Sequence, residues 1–159
     1  MITAQEQYGQ LWQLSNELGR RLLDAVVDLV KELDQAEIDP AHFVVALLRA
    51  PGHYAATKTL YIDYGLDLDT AFGIVSMSFP PKGANDERLI INEATVVMIR
   101  AVYSYAGEQR RSGSFQVNDI AAAVLQSDSR VVQILISDGD LSYEGISGPL
   151  GCTDPDVTE

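Results

Sequence analysis

Two short stretches set the frame for this chain: IDPAHFVVALLRA at residues 38–50 and FQVNDIAAAVLQS at residues 115–127, 77 positions apart. Asp39 before Pro40 reads as an N-cap with proline in the first helical turn. Phe43, Val44, Leu47 and Leu48 then carry a helix that Pro51 and Gly52 stop. In the second stretch Asn118 or Asp119 lies near the start of an alanine-rich helix. Both runs are far shorter than the roughly 20 apolar residues of a membrane span. Each must therefore be buried by other helices of the same chain.

Those other helices are legible from their periodicity. In residues 16–35, Leu18, Leu22, Ala25, Val26, Leu29 and Leu33 recur at three- and four-residue steps, which predicts an amphipathic helix. YAATKTLYIDY predicts a further helix closing on Gly65, and LDLDTAFGIVSMS another, capped by Asp67 or Asp69. The segment FPPKGANDE breaks every period and reads as a linker. Beyond it, Val96, Ile99, Val102, Tyr103 and Ala106 share one face of a helix, RRSGS is a turn, and RVVQILISDG is a last helix closing on Gly139.

A shift of 77 superimposes much of this pattern on itself. Leu22 falls on Ile99, Ala25 on Val102, Val26 on Tyr103 and Leu29 on Ala106; Ile38 falls on Phe115, Phe43 on Ile120, and Ala46, Leu47 and Leu48 on Ala123, Val124 and Leu125. A shift of 74 takes Leu60 to Ile134 and Gly65 to Gly139. Apolar positions match while surface positions do not, as expected of a diverged internal repeat. The predicted fold is all-α, a tandem pseudo-twofold repeat of two four-helix units with about eight helices in total. The first repeat is placed at 1–78, the linker at 79–88, the second repeat at 89–146 and a flexible tail at 147–159.

Charge and composition narrow the function classes. A net charge of −12 disfavours nucleic acid and anionic membrane as partners, since both select a basic surface. It favours solubility and leaves room for a basic partner. Cys152 is the one cysteine, which rules out an internal disulfide and fits a reducing compartment. The polar start ITAQEQYGQ lacks a secretory pattern. A cytoplasmic location is the expectation.

IDPAHFVVALLRA resembles the N-terminal domain of the Clp family of hexameric protein-remodelling ATPases, whose commonest helix reads roughly I-x-x-x-H-L-L-x-A-L-L. Ile38, His42, Phe43, Val44, Ala46, Leu47 and Leu48 fit that pattern, and LYIDYGLDLD resembles the family's L-x-x-x-G-V-D element through Leu60, Gly65 and Asp67, with one residue more between the leucine and the glycine. The resemblance spans roughly residues 12–146; the second repeat departs from it by placing Asp119 where histidine is common. It implies a tandem helical repeat that binds substrate segments or adaptor proteins for an AAA+ hexamer, in cis or in trans. In the type VI secretion branch the equivalent domain recognises a helix of the contractile sheath. No G-x-x-x-x-G-K-[ST] loop occurs in these residues, so any ATPase motor lies outside them.

Catalytic chemistry finds no footing. His42 and His53 are separated by a Pro-Gly break, and no H-E-x-x-H, C-x-x-C or G-x-S-x-G spacing occurs. The acids around Gly65 and Gly139 lack the order of a calcium loop. Cys152 stands among acids that raise a thiol pKa. The expectation is a non-enzymatic domain needing no cofactor or metal. The competing readings are a free-standing helical module that docks on or regulates a Clp machine, and a small hydrolase with an unrecognised site. For peptide binding the candidates are Val97, Met98, Ala101 and Tyr105, which fall away from the Ile99–Val102–Ala106 stripe, together with Ile120 beside the small alanine patch.

Overall fold

The computed structural model describes residues 3–49, 66–81, 89–108 and 114–137. They form helices α1 (Ala4–Leu14), α2 (Glu17–Glu32), α3 (Pro40–Leu48), α4 (Leu68–Ser78), α5 (Glu93–Glu108), α6 (Val117–Leu125) and α7 (Arg130–Ser137). Two two-residue strands, β1 (Glu37–Ile38) and β2 (Ile90–Ile91), complete the described residues. The expected helix in YAATKTLYIDY, both glycine caps, the Pro-Gly stop and the tail lie outside the described residues, as do His53 and Cys152. Among the described residues no helix is long and apolar enough to cross a membrane.

The centre is built by α3 and α6. Every residue of these two nine-residue helices is buried, including His42, Asn118 and Asp119. They pack on each other, α2 covers α3, and α5 covers α6. α4 lies against α3 and α7, and α1 spans α2, α5 and β2. A helix apolar all round is stable only when enclosed in this way. The repeated stretch is therefore the doubled core of one molecule.

Local chemistry fixes where each helix begins. Asn16 caps α2 by accepting from the Gly19 amide (2.8 Å), and Asn92 caps α5 by accepting from the Thr95 amide (2.9 Å). Asp39 accepts from the Ala41 amide, while Asp67, the nearer of the two expected acids, caps α4 through Thr70. α2 ends in a Schellman arrangement, with Asp34 at φ 55° and the Gln35 amide reaching back to the Val30 carbonyl. Gly19 is required by close approach, since a Cβ there would stand 2.9 Å from the Ser15 Cβ.

The two halves interlock reciprocally. The segment before α3 pairs in parallel with the segment before α5, Glu37 opposite Ile90 and Ile38 opposite Ile91. The segment before α6 pairs in parallel with the segment before α2, Phe115 opposite Ser15. Asn92 and Asn16, the two N-caps, donate their amides to Ile38 and Phe115 respectively. This exchange is the approximate dyad that the repeat predicted.

The repeat's register differs from the expected one. Helices α3 and α6 do stand 77 positions apart, but the caps Asn16 and Asn92 are 76 apart. At that shift Leu22, Leu23 and Val26 fall on Met98, Ile99 and Val102, and all six are buried. A uniform 77 instead pairs exposed Ala25 with buried Val102, and buried Val26 with Tyr103, which is 37% exposed. From its N-cap to the first residue of the core helix the second half is one residue longer than the first, 92 to 117 against 16 to 40.

α1 precedes the expected first helix, opened by a capping box in which Thr3 and Glu6 each bond the other's backbone amide. The T-x-x-E signature at 3–6 is the signal for it. Tyr8 and Leu11 are its buried residues, and the Tyr8 hydroxyl donates to the Leu23 carbonyl (2.7 Å).

Candidate protein-binding surface

His42 is the one histidine among the described residues, and its surroundings assign it a structural part. It is fully buried. Its Nδ1 accepts from the Asp39 amide (3.0 Å), so its Nε2 carries the proton and donates to Gln35 Oε1 (2.7 Å). Gln35 Nε2 passes the chain of bonds on to the Val75 and Ser76 carbonyls at the end of α4. Burial pushes the imidazole pKa down to about 4, against a smaller upward pull from Asp39. A neutral histidine sealed from solvent ties α3, the α2–β1 turn and α4 together; it has no route to a substrate.

That depressed pKa has a sign for stability. Below the ordinary histidine pKa of 6.5 the unfolded chain takes up a proton that folded His42 refuses. Stability contributed by the neutral ring is thus intact above 6.5 and drains away as pH falls toward 4. Over that window the loss is expected to reach about 3 kcal/mol. Urea midpoints measured at pH 7 and pH 4.5 test this, with His42→Asn as the control. Asn can still accept from the Asp39 amide but does not titrate, so the pH slope should flatten. An unchanged slope would refute this account.

Asp39 forms a second buried junction. One carboxylate oxygen accepts from the Ala41 amide and from the Ser129 hydroxyl at the start of α7; the other accepts from Asn92 Nδ2 (2.7 Å) at the start of α5. Asn92 Nδ2 also reaches Glu37 Oε2 (2.9 Å), and the Thr95 hydroxyl donates to the Ile38 carbonyl (2.8 Å). Among the described residues no group of three or more His, Cys, Asp and Glu is placed to hold a metal ion.

The expected peptide-binding residues divide into two sets. Met98 and Ile120 are fully buried in the common core, so they back the α5 surface and do not line it. Met98 stands one residue before Ile99 and four before Val102, so the buried face of α5, which also takes in Thr95, is wider than the Ile99–Val102–Ala106 stripe. Ile120 sits on a helix enclosed on every side. Val97 is 39% exposed and Ala101 partly so. With Tyr105, whose backbone continues α5, they are spaced four residues apart and share one flank of the helix. The side chain of Tyr105 lies outside the described residues.

The other flank of α5 was not singled out by the sequence. Tyr103 is partly exposed and meets Phe115 edge-on, ring centroids 4.9 Å apart. The Phe115 amide bonds the carbonyl of Leu14, which is 50% exposed. Between the flanks, Arg100 and Ser104 face outward. The outward side of α5 is therefore a helix surface with apolar groups on both edges and one cation in the middle.

No protein-family model matches this chain, and no curated protein matches it. Solved structures do. The N-domain of ClpV from Vibrio cholerae superimposes with a TM-score of 0.71 at 14% identity, over 94% of this chain and 92% of that one. A ClpV N-domain in complex with a VipB peptide gives 0.69 at 13% identity, covering 91% and 89%. The N-terminal domain of the ClpV1 ATPase from the E. coli EAEC Sci1 T6SS gives 0.65 at 17% identity, covering 98% and 96%. The fold is that of a Clp N-terminal domain. His42 and Asp119 hold the third positions of the two nine-residue helices α3 and α6. Both use their side chains in the same way: His42 accepts from the Asp39 amide, Asp119 from the Gln116 amide (2.8 Å). Aspartate thus replaces histidine in the second repeat without loss of the cap.

Proposed function

We propose that this chain is a non-catalytic protein-binding domain that captures substrate or adaptor segments for a Clp-type AAA+ hexamer, carried in the same polypeptide or met in trans. The observation carrying this reading is the end-to-end likeness to ClpV N-domains, one of them in complex with a peptide. The guest is an amphipathic helix, which lays its apolar side along an exposed helix face by anchors at three- and four-residue steps. The receiving surface is the outward side of α5, with Val97 and Ala101 on one flank, continued by Tyr105. Met98 and Ile120 support it from within. The ClpV neighbours favour a type VI secretion setting over general disaggregation.

A displayed library of amphipathic helical peptides, about four turns long, tests the reading. Selection on the 159-residue chain should enrich binders. Val97→Asp should weaken the enriched peptides by tenfold or more, about 1.4 kcal/mol, with an unchanged circular dichroism spectrum and melting temperature. Val97→Leu should bind as the parent does. Enrichment of nothing would overturn the function; binders indifferent to Val97→Asp would move the site elsewhere.

A further inference from the structure

We infer that the helix captured on α5 carries a carboxylate beside its apolar stripe, held by Arg100. This rests on the proposed peptide-binding reading and adds the charge of the partner. Charge along the chain is strongly uneven. Residues 82–111 hold five of the eleven Lys and Arg (Lys82, Arg88, Arg100, Arg110, Arg111) and only four of the 23 Asp and Glu. That stretch has a net charge of +1, and the rest of the chain carries −13. α5 is the helix at its centre, with Arg110 and Arg111 following in sequence just beyond its end.

Of the five arginines among the described residues, Arg20, Arg100 and Arg130 make no ion pair, and of these only Arg100 lies on α5. Arg21 pairs with Glu17 and Arg49 with Glu32, each at 2.8–2.9 Å, and Arg20 stacks on Trp12 while bonding two carbonyls. The residues three and four positions from Arg100 on its own helix are Val96, Val97, Tyr103 and Ser104, none of them acidic. Among the described residues it has no ion pair. A guanidinium flanked by Val97 and Tyr103 loses water when an apolar helix docks over it, and a carboxylate on that helix compensates by a two-pronged pair. The −13 carried by the rest of the chain disfavours an acidic helix elsewhere on the molecule.

Two fluorescent peptides decide the matter, built on one leucine stripe enriched from the library and differing only in flanking Glu or Lys. Wild-type protein should bind the Glu peptide about tenfold more tightly. Arg100→Glu, an exposed change that leaves the fold intact, should reverse the order. Val97→Asp should weaken both peptides. A wild-type preference for the Lys peptide, or a preference that survives Arg100→Glu, overturns the inference. Equal binding of both peptides, lost with Val97→Asp, overturns it and leaves the peptide-binding function standing; failure of both peptides to bind takes down the two together.

Discussion

Ile120→Asp is expected to yield a chain with no cooperative unfolding transition, and Met98→Asp the same. Both side chains are fully enclosed, Ile120 in the middle of α6 and Met98 on the inner face of α5. Truncating such a side chain costs about 2–5 kcal/mol by itself. A carboxylate placed there has no cation within the apolar cluster to pair with, so it must be protonated or drag water inward, at several kcal/mol more. The total rivals the roughly 5–15 kcal/mol that holds a domain of this kind together. Far-UV circular dichroism with urea titration reads the outcome. Ile120→Val, a volume change of one methylene, should cost only about 0.5–1.5 kcal/mol and keep a sharp transition. Val97→Asp, a single position from Met98 in the chain, should melt like the parent. A well-folded Met98→Asp would show that the register of α5 is misassigned.

Asp39→Ala should be the most damaging polar substitution, by about 3–5 kcal/mol. The loss has three parts. Removing the cap from α3 costs about 1 kcal/mol. The buried Ser129 hydroxyl and one bond of Asn92 Nδ2 lose their acceptor, at about 1–3 kcal/mol for each group left unsatisfied. Asn92 retains Glu37, which moderates its share. Asp39→Ser separates the contributions, since a serine hydroxyl can cap α3 but cannot span to both Asn92 and Ser129. It should recover about 1 kcal/mol and no more. Full recovery by serine in urea denaturation would reduce Asp39 to an ordinary cap and remove its part in joining α5 and α7 to α3.

The elements most clearly legible in the sequence were those whose signals are local. Asp39–Pro40, the periodicity of residues 16–35 and Asp67 each declare a helix through chemistry confined to one turn. The doubled core was legible too, because two apolar nine-residue helices admit few arrangements. What went astray was carried over a loop. A shift anchored on α3 and α6 does not carry over to α2 and α5, whose N-caps stand one residue closer together. One residue rotates a helix by about 100°, enough to exchange an inner position for an outer one. Met98 falls outside the Ile99–Val102–Ala106 stripe, yet the buried face of α5 is wide enough to take it in, whereas Val97 and Ala101 lie far enough round the helix to remain at least partly exposed. α1 was missed because Tyr8 and Leu11 are its only buried residues; too few apolar positions recur for periodicity to register, and the capping box had to be read instead. The Tyr103–Phe115–Leu14 edge had no signal at all, being assembled from three elements that only the fold brings together.

The crossed pairing of residues 36–38 with 90–92, and of 14–16 with 115, makes the halves mutually dependent. Each lends the other the backbone partners that a lone half would leave facing water. A break in the chain between them would divide the polypeptide and leave the body joined, much as two hands stay clasped when a sleeve is cut.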